Sequence, residues 1–402
     1  MGMHKKIYNT ILKKLERDIQ LPTHFNTIHS NRKVFEILLQ TTFLNQFVET
    51  TVKEIGYYSD EICSADTVFK RIKTHGWNKV LHDFKTINLQ LFNKWIDKPK
   101  KKVYLAVDYH DIPSYLKKKR DWKPRKKKCD DIDKIVHSKK QSGTHNFHRI
   151  ISADVVEDEK FTVDFEPVFP DAIRTEITMC LIENAKKMVN IKAVLMDREF
   201  FAAPIVSSLQ EEKIPFVIRA IKTKRINKFL DEFKEDKRIW KVFEYEFNKT
   251  SHSSCKRQRI KVKTNLVIVD NSKEEGIPAE KYFEDDRYFM FITNVLVNSQ
   301  ETSFKLARDF RKRWGIETGY KTKKQFRGKT CSLSYAVRLF LILLSFVLYN
   351  LWISINSKLK NRIWNIQPKN LHITAALMAF FCLMQIISRR IFYREMTAIS
   401  QR

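Results

Sequence analysis

The sequence predicts an α/β chain with helical ends, and three observations predict it. Two short apolar runs, VYLAV (103–107) and AVLM (193–196), lack helical period, and each stops at an aspartate, Asp108 and Asp197. HNFHRIISADVV (145–156), FTVDFEPVF (161–169), PFVIRAI (215–221) and YFMFITN (288–294) read as further strands. Apolar residues at helical spacing fill 34–55, 77–96 and 175–189.

The whole chain bounds the possibilities. Its 402 residues allow two or three domains, and 43% hydrophobic residues with only 8 glycines exclude a disordered or fibrous chain. A net charge of +29 points to a polyanion, most simply nucleic acid; a membrane surface is the weaker alternative. Cysteines stand at 63, 129, 180, 255, 331 and 382 without any C-x2-C pair. That scatter fits neither a zinc ribbon nor a disulfide framework and suits a reducing compartment. The first twenty residues are charged and amphipathic, with no apolar signal-peptide core.

Residues 1–98 read as a helical domain. A helix over 34–55 ends at Gly56, and Ser64 or Asp66 caps a short basic helix over 67–75 that exposes Lys70, Arg71 and Lys73. Helix, turn and basic helix is a pattern compatible with DNA contact and equally with plain packing. Lys98-Pro99 marks a boundary. Asp108 sits at the end of its strand, with Pro113 stopping any continuation. A carboxylate there is where an α/β fold exposes chemistry, although an aspartate that merely starts a turn looks the same.

The run KKKRDWKPRKKK (117–128), with Lys126 and Lys127 in it, cannot pack in a core. It is a solvated loop or an arm that tracks phosphates, and Trp122 stacks on a base or packs back on the body. His137, His145 and His148 lie close in sequence without metal-ligand spacing. Asp197 repeats the logic of Asp108, and Glu199 stands one step further out as a substitute ligand. Residues 222–288 interrupt the α/β pattern with two charged, alternating strands, joined by a turn at SHSSC (251–255). Two C-terminal apolar segments, 336–356 and 371–387, approach the length of membrane spans. Ser345, Tyr349 and Asn350 interrupt the first, so both read as buried helices packed on the sheet.

The stretch FRKRWGIETGYKTKK (310–324) draws these parts together. It reads as one helix whose only acid is Glu317, among Arg311, Lys312, Arg313, Lys321, Lys323 and Lys324. At helical spacing Phe310, Arg313, Glu317 and Lys324 fall near one face. One carboxylate among cations suits a metal ion beside a polyanionic backbone, and also suits an ordinary solvated helix.

The spacing Phe310-x2-Arg313-x3-Glu317-x6-Lys324 resembles the Tyr-x2-Arg-x3-Glu-x6-Lys signature of DDE transposases of the insertion-sequence superfamily, with phenylalanine in place of tyrosine. The resemblance implies a ribonuclease H-like mixed sheet flanked by helices, with Asp108 and Asp197 on adjacent strands. It divides the chain into a helical DNA-binding domain (1–98), a first core segment (99–221), a β-rich insertion (222–288), a second core segment with the Glu317 helix (289–330) and a helical C-terminal region (331–402). It implies that Asp108, Asp197 and Glu317 bind two Mg²⁺ ions, with Mn²⁺ substituting, and catalyse cleavage and strand transfer. Phe310, Arg313, Lys321 and Lys324 would meet DNA beside that centre, with Lys70, Arg71, Lys126 and Lys127 adding contacts elsewhere. The expected partners are double-stranded DNA, as element ends and target, and a second copy of the chain on DNA, with no membrane; the expected place is the cytoplasm of a prokaryote, at the nucleoid. Some relatives form a DNA hairpin aided by a tryptophan near the Thr-Asn strand, and ITNVLVN (292–298) has none. A transposase-derived protein without catalysis, another nuclease of the same core and a membrane protein with two spans are the rival readings.

Overall fold

In the computed structural model the described residues are 3–23, 27–57, 59, 62–95, 102–115, 134–157, 160–253, 256–273, 287–362, 374–384 and 388. Lys126, Lys127 and Trp122 lie outside them. The chain divides into two compact units, one of residues 1–97, 111–148 and 318–402 and one of 98–110 and 149–317.

The second unit holds most of a mixed sheet. Its strands are β1 (Val103–Pro113), which begins there, then, after a short strand β2 of the other unit, β3 (Thr144–Val156), β4 (Lys160–Val168), β5 (Ile191–Met196), β6 (Phe216–Arg219), β7 (Trp240–Ser253), β8 (Lys256–Asp270) and β9 (Tyr288–Thr293). They run in the order β3-β1-β5-β6-β9-β8-β7, and β4 pairs with β3. Three neighbours, β1, β5 and β6, are parallel. Parallel strands are covered on both faces, which is why residues 103–107 and 193–196 are continuously apolar and almost wholly buried. The end of β9 is clamped to β6: Thr293 Oγ1 donates to the Phe216 carbonyl at 2.6 Å, and the Asn294 amide bonds both Phe216 N and the Ile214 carbonyl.

Two expectations change here. Asp108 is not at the end of its strand. β1 continues to Pro113, and Asp108 marks the point where its partner β5 stops, the last paired residues being Val107 and Met196. Within the β-rich segment 222–288 the expected turn moves. β7 and β8 form a long hairpin whose outgoing strand pairs with β9 and so extends the main sheet, and strand pairing runs through Ser251–Ser253, which sequence assigned to a turn.

The helices α6 (Arg174–Lys186), α7 (Ala203–Glu211), α8 (Lys224–Glu235) and α9 (Gln300–Arg311) belong to this unit. The next helix, α10 (Trp314–Gln325), is separate from α9, although 310–324 reads as one helix. The junction tightens into i→i+3 bonds, Lys312 N to Asp309 O, Arg313 N to Phe310 O, Gly315 N to Lys312 O and Ile316 N to Arg313 O.

In the first unit α1 (Met3–Asp18), α2 (Asn31–Leu44), α3 (Val48–Gly56), α4 (Ala65–His75) and α5 (Trp77–Trp95) form the N-terminal domain. The 34–55 segment is two helices, because Asn45 turns left-handed (φ 51, ψ 39) and its N–H caps α2. Ser64 caps α4 by accepting from Thr67 N. The polar strand β2 (Val136–Gln141), which sequence did not show, pairs with the start of β3.

The long helix α11 (Tyr335–Arg362) packs along α5, and also touches α4 and α2. Phe84 meets Phe340 edge to face at 5.0 Å, and Asn350 donates to Asn88 in the same buried seam. Residues Tyr335–Ser357 are long and apolar enough to cross a membrane, yet 89% of their most apolar stretch is buried inside the chain. Burial against α5, α4 and α2 accounts for that composition. A short apolar helix, α12 (Ala375–Met384), follows.

Candidate active site

Strand register places the two aspartates. Val107 pairs with Met196 on adjacent parallel strands, which lie about 4.8 Å apart, and Asp108 and Asp197 are the residues that directly follow this last pair. After Asp197 the chain turns into the short 3₁₀ segment Arg198–Phe200, with Phe200 N bonded to the Asp197 carbonyl. Phe200 is fully buried and stacks on Tyr109 at 4.8 Å, nearly parallel, which fixes the backbone just beyond each aspartate.

Glu317 joins through a guanidinium. Arg313 Nη1 donates to Asp108 Oδ2 at 3.0 Å, and Nη2 donates to Glu317 Oε1 at 2.8 Å. The Arg313 side chain is 4% exposed, Asp108 18% and Glu317 51%, so the first pair is buried and the second half open. Asp108 Oδ1 accepts from Tyr109 N. Burial pushes the Asp108 carboxyl up to about 7; Arg313 and the Tyr109 amide pull it down, while Asp197 and Glu317 push it up again. All three carboxylates therefore feel one another at Asp108. Asp197 Oδ1 is buried without a hydrogen-bond partner.

A cluster that sequence reasoning missed steers Arg313. Tyr104 on β1 donates to Asp309 on α9, and Lys312 bridges Asp309 and Glu157, each at 3.2 Å. Lys192 and Lys312 both lie over the Tyr104 ring. These contacts seat the end of α9 and so aim the turn that carries Arg313. Asp309 precedes the motif and Lys312 lies within it, but their partner strand is known only from the fold.

The other expected residues divide. Phe310 is 3% exposed and packs on Phe289 at 5.1 Å, so it is a core residue and not a DNA contact. Arg71 is also buried, not exposed: it holds the His29 carbonyl and Asn31 and ties the α1–α2 connection to α4. Lys70, Lys321 and Lys324 are exposed. Arg313 is bound to carboxylates rather than open to phosphate. Glu199 is engaged by Arg149 at 3.8 Å, and Arg149 lies over the Tyr109 ring at 4.9 Å, so Glu199 faces a supporting layer. His148 is buried against Tyr335, consistent with a structural part.

Among the described residues no three His, Cys, Asp or Glu side chains are gathered closely enough to hold a metal ion. The donor set nevertheless fits a hard divalent cation. It offers carboxylate oxygens only, one of them an unpartnered buried atom, with like charges crowded beside Asp108.

A mixed sheet with parallel central strands, flanked by helices and followed by a helix that carries a glutamate, has the form of a ribonuclease H-like core. The transposase DDE domain family matches residues 167–351, a span that includes Asp197 and Glu317 and starts after Asp108. The match supports a DDE transposase, of a family whose members cut and join DNA and depend on divalent metal. In fold it is similar to piggyBac transposase as seen in a cryo-EM structure of its synaptic complex with hairpin DNA. The TM-score is 0.55 at 10% identity, over 97% of this chain and 79% of that one. No curated protein sequence matches the chain.

Proposed function

We propose that this DNA transposase cuts the ends of an insertion element in double-stranded DNA and joins them to a target, using Asp108, Asp197 and Glu317 as ligands of Mg²⁺, for which Mn²⁺ substitutes. The observation that supports it best is that Asp108 and Asp197 each follow the last paired residues of two adjacent parallel strands, with Glu317 tied to Asp108 through Arg313. Asp108, Asp197 and Glu317 would hold the divalent cations, which when bound would supply Lewis-acid activation of the attacking hydroxyl and charge stabilisation at the leaving 3′-oxygen. The chain's own residues do the rest. Arg313 supplies, in the protein alone, the positive charge that the carboxylates lack, and its fork also suits a phosphate. Lys321 and Lys324 present exposed cations to the DNA backbone. The chain acts as a homodimer on DNA, because two ends are joined, and its place of action is the nucleoid.

The test is a metal-dependent cleavage assay on element-end DNA. Asp108→Asn, Asp197→Asn and Glu317→Gln should each abolish cleavage, by at least about a hundredfold, while DNA binding measured by anisotropy stays intact. Retained cleavage in any one removes that residue from the ligand set.

A further inference from the structure

Arg327 lies three residues beyond Lys324, in the segment that follows α10, and no motif includes it. The segment is held rigidly within the first unit. Lys329 N donates to the Gln46 carbonyl at 2.8 Å, Val48 N to the Lys329 carbonyl at 3.1 Å, and the Asn45 amide to the Lys324 carbonyl at 2.9 Å. Gly328 sits so close to α2 that a Cβ there would lie 2.8 Å from Thr41 Cγ2.

On this fixed backbone the Arg327 guanidinium is half-buried, and its Nη1 is shielded from solvent without a hydrogen-bond partner. No carboxylate pairs with it among the described residues, and burial alone pulls its pKa below the usual guanidinium value. Other buried cations of the same unit are provided for: Arg71 holds the His29 carbonyl and Asn31, and Lys323 lies over the rings of Tyr320, Phe346 and Tyr349. A shielded donor left unpaired costs free energy in the protein alone, and a planar five-donor fork matches a phosphate. Lys324 and Lys329, close to it in the chain, are exposed.

We propose that Arg327 is a phosphate-binding residue that takes a backbone phosphate of duplex DNA. The proposal rests on the DNA-binding reading of the chain and adds a contact outside the signature. Its test uses the full chain, a short random-sequence duplex and anisotropy between about 50 and 200 mM salt, with thermal unfolding measured without DNA. Arg327→Gln should bind on the order of tenfold more weakly, reduce the slope of log affinity against log salt by about one, and unfold at the same or a higher temperature. Arg327→Lys keeps the charge and should keep the slope. Wild-type binding matched by Arg327→Gln in affinity and slope overturns the assignment alone. So does a lower unfolding temperature in both variants, which would make the guanidinium a structural group. If wild type shows no salt-dependent binding, the DNA reading itself fails.

Discussion

Replacing Arg313 by glutamine tests the charge balance of the site in the metal-free protein. The two ion pairs of Arg313 are unequal. The Glu317 pair is half-exposed and spaced i,i+4, so it is worth only about 0.3–0.5 kcal/mol. The Asp108 pair is buried, and stripping a counter-ion from a buried charge costs roughly 3–5 kcal/mol when the charge persists. Asp108 has an escape, because its carboxyl is already pushed up to about 7. At pH 8 it can take a proton for about 1.4 kcal/mol. Losing one hydrogen bond adds about 1 kcal/mol. The penalty is thus about 3 kcal/mol at pH 8 and falls to about 1.5 kcal/mol at pH 6, where Asp108 is mostly protonated in the wild type as well. Urea denaturation of wild type and Arg313→Gln at both pH values, without metal, measures it. Saturating Mn²⁺ should narrow the gap at pH 8, since the variant no longer has a guanidinium competing for the same oxygens. A pH-independent penalty, or a gap that Mn²⁺ leaves unchanged, would refute the argument.

Two further outcomes follow from packing in the first unit. The His148 imidazole is pushed down to about 4 by burial and by the positive charge of Arg338. A depressed histidine contributes stability that is present above about 6.5 and lost as pH falls through the 6.5 to 4 window, here up to about 3 kcal/mol; His148→Phe should flatten that part of the stability–pH curve. Gly328→Ala would place a Cβ 2.8 Å from Thr41 Cγ2 and 3.2 Å from Leu341 Cδ2, costing about 1–3 kcal/mol by thermal unfolding, and Thr41→Ser in the same chain should recover much of it.

The legible parts of this molecule are those where local composition and tertiary environment agree. The strands of Asp108 and Asp197 are buried on both faces, so they had to be short, apolar and without helical period. The helical N-terminus was legible for the same reason. What escaped depends on partners distant in sequence. The break between α9 and α10 sits at Arg313, which is tied to Asp108, 205 residues away, and the spacing of Phe310, Arg313, Glu317 and Lys324 suits a continuous helix as well as a broken one. Arg71 looks like a surface cation until His29 and Asn31 close on it from 42 and 40 residues away. The strand β2, VHSKKQ, lacks apolar alternation, so its pairing with β3 leaves no trace in composition. The apolar run of α11 announces burial but not against what, and α5 provides the surface.

The uncompensated charges say the most about what this fold is for. Natural interiors pair their ions or replace them with apolar groups, and such replacement is often neutral or stabilising. Here one unit keeps Asp108 and Glu317 on one shared guanidinium, and beside them an Asp197 oxygen without a partner. The other keeps a shielded arginine with no acid beside it among the described residues. The two defects have opposite sign, so no single small ligand relieves both: the first calls for cations, the second for an anion. DNA arriving with divalent metal brings both charges at once. A net charge of +29 raises the local concentration of such a partner without specifying where it docks; the two proposed sites are what would specify it. On this argument the protein alone is held below its attainable stability at the points where substrate completes it.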